Sequence, residues 1–158
     1  MLKSLLVAVF GIVLPAAVLL GAYNNVPVTV TKPDLQTAQL LLPGPHAPPR
    51  DFEEEVRLVA RVQDRILTVA PRDEGIPLGQ SRELVDLTRA RHGLCFDRSR
   101  AIETVLRTYG LRTRHLSIYT TAECGSVLRS LSTPGNSSHA VTEVKTRRGW
   151  MIVDSNSR

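Results

Sequence analysis

Aromatic residues are scarce in this chain of 158 residues: three Phe, three Tyr and one Trp make up 4% of the sequence. Proteins that bind single-stranded nucleic acid stack bases on aromatic side chains beside a dense basic groove. Here the arginines are spread from Arg50 to Arg158 with little clustering. The net charge of +5 therefore indicates a solvated, arginine-rich surface, and we expect no nucleic-acid partner.

Cysteine and histidine are also scarce, with two and four copies respectively. Two cysteines are too few for a disulfide-rich scaffold. The histidines lack the short, regular spacing of zinc ligands. They are His46, His92, His115 and His139. We therefore expect neither a metal ion nor another cofactor.

One long hydrophobic run is present: Leu5 to Ala22 contains no charged residue and follows Lys3. A helix of these 18 residues is about 27 Å long, close to the ~30 Å thickness of a hydrocarbon core. The positive charge before the run favours a cytoplasmic N-terminus. We predict an uncleaved membrane anchor at residues 1–23, with the remaining chain on the extracytoplasmic, periplasmic side.

A cleaved signal peptide is the alternative for this segment. The short basic start and the small Ala22 at the end of the run also fit such a peptide. The mature protein would then be secreted, and in both cases the domain that follows is exported.

The rest of the chain divides into a proline-rich segment and one domain. Six prolines occur between residues 24 and 50, and proline fixes φ and removes a backbone donor. We predict that residues 24–50 form an extended linker that holds the domain away from the bilayer. Residues 51–158 are enough for a single domain with its own core.

Apolar periodicity predicts three helices in this domain. The first extends from Asp51, with acidic residues in its first turn, to just before Pro71. A shorter helix covers Ser81 to Arg91. The third extends from Cys95 to Gly110, where glycine is a natural helix terminator.

Three segments alternate polar and apolar residues and predict strands of an antiparallel sheet. We expect the first, Leu111 to Thr120, to be central. The other two, His139 to Lys145 and Gly149 to Asp154, are expected to form a hairpin around residues 146–149. A short helix at Ser126 to Leu131 lies in an insertion that is well placed to border a substrate cleft.

Cys95 is the candidate nucleophile because it lies at the predicted start of the third helix. Free N–H groups and the helix dipole stabilise an anion there, and the thiolate is the nucleophilic form of cysteine. His139 and Asp154 each lie in one strand of the predicted hairpin. An imidazole from one strand can then reach Cys95 while the carboxylate holds the second ring nitrogen.

Three separated blocks carry a family resemblance: GLCFDRSRAIETVLRTYGLRTRHLSIY, SSHAVTEVK and GWMIVDSN. They resemble the transglutaminase-like superfamily, with its G-x-C helix start, H-A-x-x-E-V strand and W-x-x-V-D strand, and they suggest a membrane-anchored, bacterial-type member. The resemblance implies an α+β fold with a papain-like core, in which helices pack on an antiparallel sheet.

The same resemblance implies a function. Cys95 is expected to be the nucleophile, His139 the base and Asp154 the orienting carboxylate. Family members carry out acyl transfer or hydrolysis at amide and thioester carbonyls. The expected protein is thus a cysteine-nucleophile hydrolase or acyltransferase of protease, amidase or transglutaminase type, acting on a protein or peptide-like substrate.

Two alternatives remain open at this point. Some family members have lost the chemistry, and the domain would then be a noncatalytic, membrane-tethered binding module. In an oxidising compartment, a disulfide between Cys95 and Cys124 would remove the nucleophile, whereas a free loop thiol at Cys124 would leave it available.

Four further residues are candidates for supporting roles. Glu143 is expected on the same strand face as His139, where an outer hydrogen bond would help to order the site, although a structural role suits it better. Gln80 is a candidate oxyanion donor because it precedes the site. His92 is close to the helix start, although a surface role suits it better, and Trp150 is expected in the core or the cleft wall.

Overall fold

The computed structural model describes residues 28–77, 80–122, 124–133 and 137–157, with residues 11, 13–15 and 18 nearer the N-terminus. Apart from those few positions, the predicted anchor at residues 1–23 lies outside the described residues. No helix in the described ranges is both long and apolar enough to cross a membrane. The elements in chain order are α1 Lys32–Leu41, α2 Phe52–Val69, α3 Leu84–Ala90, α4 Cys95–Thr108, β1 Thr113–Tyr119, α5 Val127–Ser132, β2 Ser138–Thr146 and β3 Gly149–Asp154.

Helix α1 lies inside the predicted linker, so the expectation of an extended chain is wrong for this stretch. The Thr31 side chain accepts a hydrogen bond from the Asp34 N–H, and the Asp34 carboxylate accepts one from the Thr31 N–H. Pro33 occupies the first turn, where proline is compatible with a helix. Ala38 and Leu41 are buried, and α1 packs against α3 and α4.

Helix α2 confirms the prediction of a helix after Asp51. The Asp51 carboxylate caps the helix by accepting a hydrogen bond from the Glu54 N–H at 2.8 Å. Its apolar stripe is buried, and α2 packs along α4. This stripe contains Leu58, Val59, Val62 and Ile66.

Helix α4 lies between the other helices and the sheet. It begins at Cys95 as predicted and ends at Thr108, two residues before Gly110, whose φ of +79° favours glycine. Ala101, Ile102 and Val105 are buried along its length. The helix packs on β2 and β1 with one side and on α2 with another.

The sheet is antiparallel in the order β1-β2-β3. The hairpin of β2 and β3 was predicted correctly, with Thr146 opposite Gly149. The expectation that the Leu111 to Thr120 strand is central is wrong, because β2 has a neighbour on each side and β1 pairs only with β2 among the described strands. The fold is α+β, with helices packed on a three-stranded antiparallel sheet.

One buried side chain at the centre of this arrangement allows a test of the core. Ile102 is 0% exposed and belongs to the main apolar cluster. We expect Ile102→Ala to lower the free energy of unfolding by about 2–5 kcal/mol, because the substitution removes buried methyl groups and leaves a cavity. Chemical denaturation measures this value.

Leu40 provides a matched control because it is 78% exposed on α1. Leu40→Ala should change the free energy of unfolding by no more than about 0.5 kcal/mol. Equal losses from the two substitutions would contradict the packing of α4 described above.

Candidate active site

His139 and Asp154 meet at one end of the β2–β3 hairpin. Asp154 lies opposite Val141, and His139 is two residues before Val141 on the same strand face. The Nε2 atom of His139 lies 2.8 Å from Oδ1 of Asp154. Both side chains are partly exposed, at 34% for His139 and 42% for Asp154. The imidazole is thus held by a carboxylate and still faces solvent.

The Asp154 carboxylate is itself anchored by the turn that follows it. Its Oδ1 accepts a hydrogen bond from the Asn156 N–H at 2.9 Å, and its Oδ2 accepts one from the Ser157 hydroxyl. Desolvation acts to raise the pKa of this carboxyl, but the hydrogen bonds from Ser157, Asn156 and His139 outweigh it and leave the pKa below its usual value. The carboxylate is therefore stabilised in its charged form.

Cys95 is the first residue of α4, and the start of this helix is rigidly held. The Asp97 carboxylate accepts hydrogen bonds from the Leu94 N–H at 3.1 Å and from the Arg82 guanidinium at 2.7 Å. Asp97 is 2% exposed. A charge-assisted pair with so little exposure fixes the first turn of the helix and hence the position of Cys95.

Gly93 is required by packing at this helix start. A Cβ atom at this position would lie 2.6 Å from Cδ1 of Leu87 and 3.1 Å from Cβ of Asp97. The Gly93 N–H also donates to the carbonyl of Arg72 at 3.1 Å. The absence of a side chain therefore lets α3 and the preceding loop approach the residues just before Cys95.

The position of α4 on β2 relates Cys95 to the hairpin. The Ser99 hydroxyl donates to the Ala140 carbonyl at 3.0 Å, and the Thr142 hydroxyl donates to the Ser99 carbonyl at 3.0 Å. Cys95 is one helical turn, about 6 Å, before Ser99, and His139 directly precedes Ala140. The helix start therefore lies at the strand end that carries His139.

The three predicted site residues are thus brought together to different degrees. His139 and Asp154 form a direct hydrogen bond. No hydrogen bond joins Cys95 to His139 within the described ranges, and the hydrogen bonds between α4 and β2 are made by Ser99 and Glu103. Cys95 and Cys124 are both free thiols, and Cys124 lies in the loop between β1 and α5.

The candidates for supporting roles have other partners. The Glu143 carboxylate pairs with the Arg114 guanidinium across β1 and β2. The His92 Nδ1 atom lies 2.9 Å from the carbonyl oxygen of Glu74. Gln80 is exposed and lines a depression in which Cys95 takes no part. The contacts of Glu143 and His92 indicate structural roles for these two residues.

Trp150 does not lie in the core, which was one of the two positions expected for it. Its side chain is 37% exposed. The Arg114 guanidinium lies 4.1 Å from the centre of its ring, and the Lys145 ammonium lies 5.6 Å from it. Cations over an indole face are favourable contacts at exposed sites, so Trp150 is covered by charged side chains rather than by apolar ones.

Arg98 and Asn156, which were not among the predicted site residues, connect α4 with the turn that follows Asp154. Arg98 on α4 is 3% exposed and donates to the side-chain carbonyl of Asn156 at 3.0 Å. The sequence feature that indicates a special role for Arg98 is its position on the buried stripe of an amphipathic helix. It lies three residues before Ala101 and four before Ile102. A cation in that place requires buried partners.

The pKa of Asp154 gives a pH prediction. A carboxyl whose pKa is lower in the folded state stabilises the fold above its unfolded pKa, and this contribution disappears as the pH falls through the folded pKa. The free energy of unfolding should therefore decrease on acidification from about pH 5, and less steeply in Asp154→Asn. Denaturant titrations between about pH 2 and pH 5 measure the slopes, and parallel slopes would contradict the anchoring.

The profile of the transglutaminase-like superfamily matches residues 47–155. The crystal structure of the periplasmic domain of TgpA from Pseudomonas aeruginosa is similar, with 22% identity and a TM-score of 0.52 over 83% of this chain and 44% of that chain. Its ethylmercury-bound form gives 20% identity and a TM-score of 0.53, with 83% of this chain and 46% of that chain covered.

The chain spans less than half the length of these solved chains, and at this identity they show a shared fold. A search of curated proteins found no match. The profile covers more than half of the chain and includes the start of α4 and the β2–β3 hairpin through Asp154. The chain therefore belongs to the transglutaminase-like superfamily.

Proposed function

We propose that the protein is an exported cysteine-nucleophile enzyme that performs acyl transfer or hydrolysis at amide bonds. Cys95 is the nucleophile, His139 the general base and acid, and Asp154 the residue that orients the imidazole. The observation that carries the proposal is the 2.8 Å contact between His139 and Asp154, at the strand end where α4 begins with a cysteine.

The contact between His139 and Asp154 supports Nδ1 of His139 as the atom that takes up the thiol proton. Because Asp154 accepts a hydrogen bond from Nε2 of His139, the neutral ring has its proton on Nε2, and Nδ1 is left as the acceptor. Nδ1 takes the proton of the Cys95 thiol, and the resulting thiolate attacks the carbonyl carbon. The Asp154 carboxylate stabilises the imidazolium that forms.

In the remaining steps, His139 passes on the proton that it took from the Cys95 thiol. The tetrahedral intermediate collapses with cleavage of the C–N bond, and His139 gives its proton to the leaving amine. An acyl thioester on Cys95 remains. Water, or a second amine, then attacks the thioester while His139 removes a proton, and the Cys95 sulfur leaves. Hydrolysis is favoured because water is the abundant acceptor in a partly exposed site.

Two observations support the proposed extracytoplasmic location of the domain. The uncharged run from Leu5 to Ala22 after Lys3 favours export of the domain, either behind an uncleaved anchor or after signal cleavage. The similar fold of TgpA is that of a periplasmic domain. The expected substrate is a protein or peptide-like molecule outside the cytoplasm.

Selective alkylation tests the nucleophile. After reduction, Cys95 should react with iodoacetamide at pH 6–7 at least about tenfold faster than Cys124, because His139 can accept the thiol proton as the sulfur reacts. His139→Ala should remove the difference. Peptide mass spectrometry of a time course measures both thiols in one sample.

His92→Ala is the matched control, because His92 is close to Cys95 in sequence but contacts Glu74. It should leave the rate at Cys95 unchanged. Equal, slow labelling of the two cysteines in the unsubstituted protein would contradict the enzyme proposal and support a noncatalytic binding module.

Trapping of the covalent intermediate tests the acyl-transfer step itself. Incubation with an activated ester such as p-nitrophenyl acetate should add one acyl group at Cys95. The acyl-enzyme should not form in Cys95→Ser or His139→Ala, since a positioned base contributes about 10²–10⁴-fold to such steps. Acylation that is independent of His139 would contradict the assigned roles.

A further inference from the structure

Arg98 is a buried cation next to the candidate site. It lies one turn into α4, three residues after Cys95, and is 3% exposed. Its Nε donates to the carbonyl of Ala70 at 2.9 Å, at the end of α2. One terminal nitrogen is 3.3 Å from the carboxylate of Asp73 and donates to the side-chain oxygen of Asn156 at 3.0 Å. Burial of a guanidinium is costly without such partners.

Asn156 connects this cation to the orienting carboxylate. Its side chain accepts from Arg98, and its backbone N–H donates to Oδ1 of Asp154. The same Oδ1 atom lies 2.8 Å from Nε2 of His139. A continuous series of contacts therefore runs from the helix that begins with Cys95 to the imidazole of His139.

Other contacts hold the same turn, but they come from other elements. The Ser155 hydroxyl donates to the Ala140 carbonyl at 2.7 Å. The Gln63 amide on α2 donates to the carbonyls of Asp154 and Ser157, each at 2.8 Å. Among the described hydrogen bonds of this turn, the one from Arg98 is the contact that comes from α4.

We propose that Arg98 and Asn156 form a positioning bridge that sets the Asp154–His139 pair relative to the Cys95 helix. The inference rests on the proposed function, since the bridge matters for catalysis only if these three residues react together. Arg98 is a positioning residue rather than a catalytic one, because it acts on His139 through Asn156 and Asp154. Fixing reacting groups in this way lowers the barrier because orientation is set before reaction.

The bridge acts by orientation and not by charge. The positive charge of Arg98 is balanced by Asp73, and its contact toward the site is with the neutral amide of Asn156. Loss of the amide oxygen would remove the contact between α4 and this turn, while the ion pair of Arg98 with Asp73 remains. Loss of the Asp73 carboxylate would remove the ion pair but keep the hydrogen bond from Arg98 to Asn156.

Two substitutions at Asn156 test the bridge in the full-length protein. Asn156→Leu keeps the size of the side chain but removes the acceptor, and acylation of Cys95 by p-nitrophenyl acetate should slow by about tenfold, because misplacement of reacting groups raises the barrier. Asn156→Asp keeps an acceptor for Arg98 and should retain the rate at neutral pH within about threefold of the unsubstituted protein. Equal slowing in both variants would overturn the proposal.

Asp73→Ala is the matched control for a purely structural role. It removes a partner of the same guanidinium and should reduce the resistance to denaturant without slowing acylation. If Asp73→Ala and Asn156→Leu slow acylation equally, Arg98 only stabilises the fold and the bridge is refuted.

A second measurement separates failure of the bridge from failure of the enzyme proposal. Carboxyl NMR should show that Asn156→Leu raises the pKa of Asp154, because without the contact to Arg98 the turn N–H and the Ser157 hydroxyl are directed less closely at this carboxylate. Asp73→Ala should leave this pKa unchanged. The comparison needs no reaction, so it decides on the bridge even if Cys95 is never acylated. An unchanged pKa in Asn156→Leu would overturn the proposal.

Discussion

The reciprocal hydrogen bonds between Ser99 and strand β2 are the contact on which the rest of the arrangement depends. Ser99 is fully buried, donates to Ala140 and accepts from Thr142. A buried polar group that loses its partner costs about 1–3 kcal/mol, so sliding α4 along the strand is penalised at both bonds. The position that satisfies them puts the helix start at the strand end that carries His139.

A cluster of buried charge one turn further along α4 adds to this constraint. Glu103 is fully buried, 2.9 Å from Nδ1 of His115 on β1 and 3.1 Å from the guanidinium of Arg107. Burial lowers the pKa of Arg107 although Glu103 opposes the shift. The ring of Phe96 packs edge-on against His115 at 4.8 Å. The cluster thus fixes β1 against the residue next to Cys95, and separation of its charges would leave one unpaired in the interior.

Much of the fold follows from local pattern, and the departures have physical causes. Periodicity predicts α2, α4 and the hairpin because their apolar faces contact one core. Helix α1 is missed because proline is treated as a breaker, whereas Pro33 in a first turn beside the cap at Thr31 is favourable. The alternation of polar and apolar residues in β1 shows that its two faces have different surroundings. It does not show how many strands pair with β1. The contact from Arg98 to Asn156 spans 58 positions, so no local pattern contains it.

Trp150 has a consequence for observing this protein in solution. It is the single tryptophan of the chain, and it lies partly exposed on β3, four positions before Asp154. Tryptophan emission therefore arises from the strand that ends at Asp154. The nearby cations of Arg114 and Lys145 make its emission responsive to small displacements of this strand. The molecule consequently contains its own optical reporter for fraying of that sheet edge, without any label.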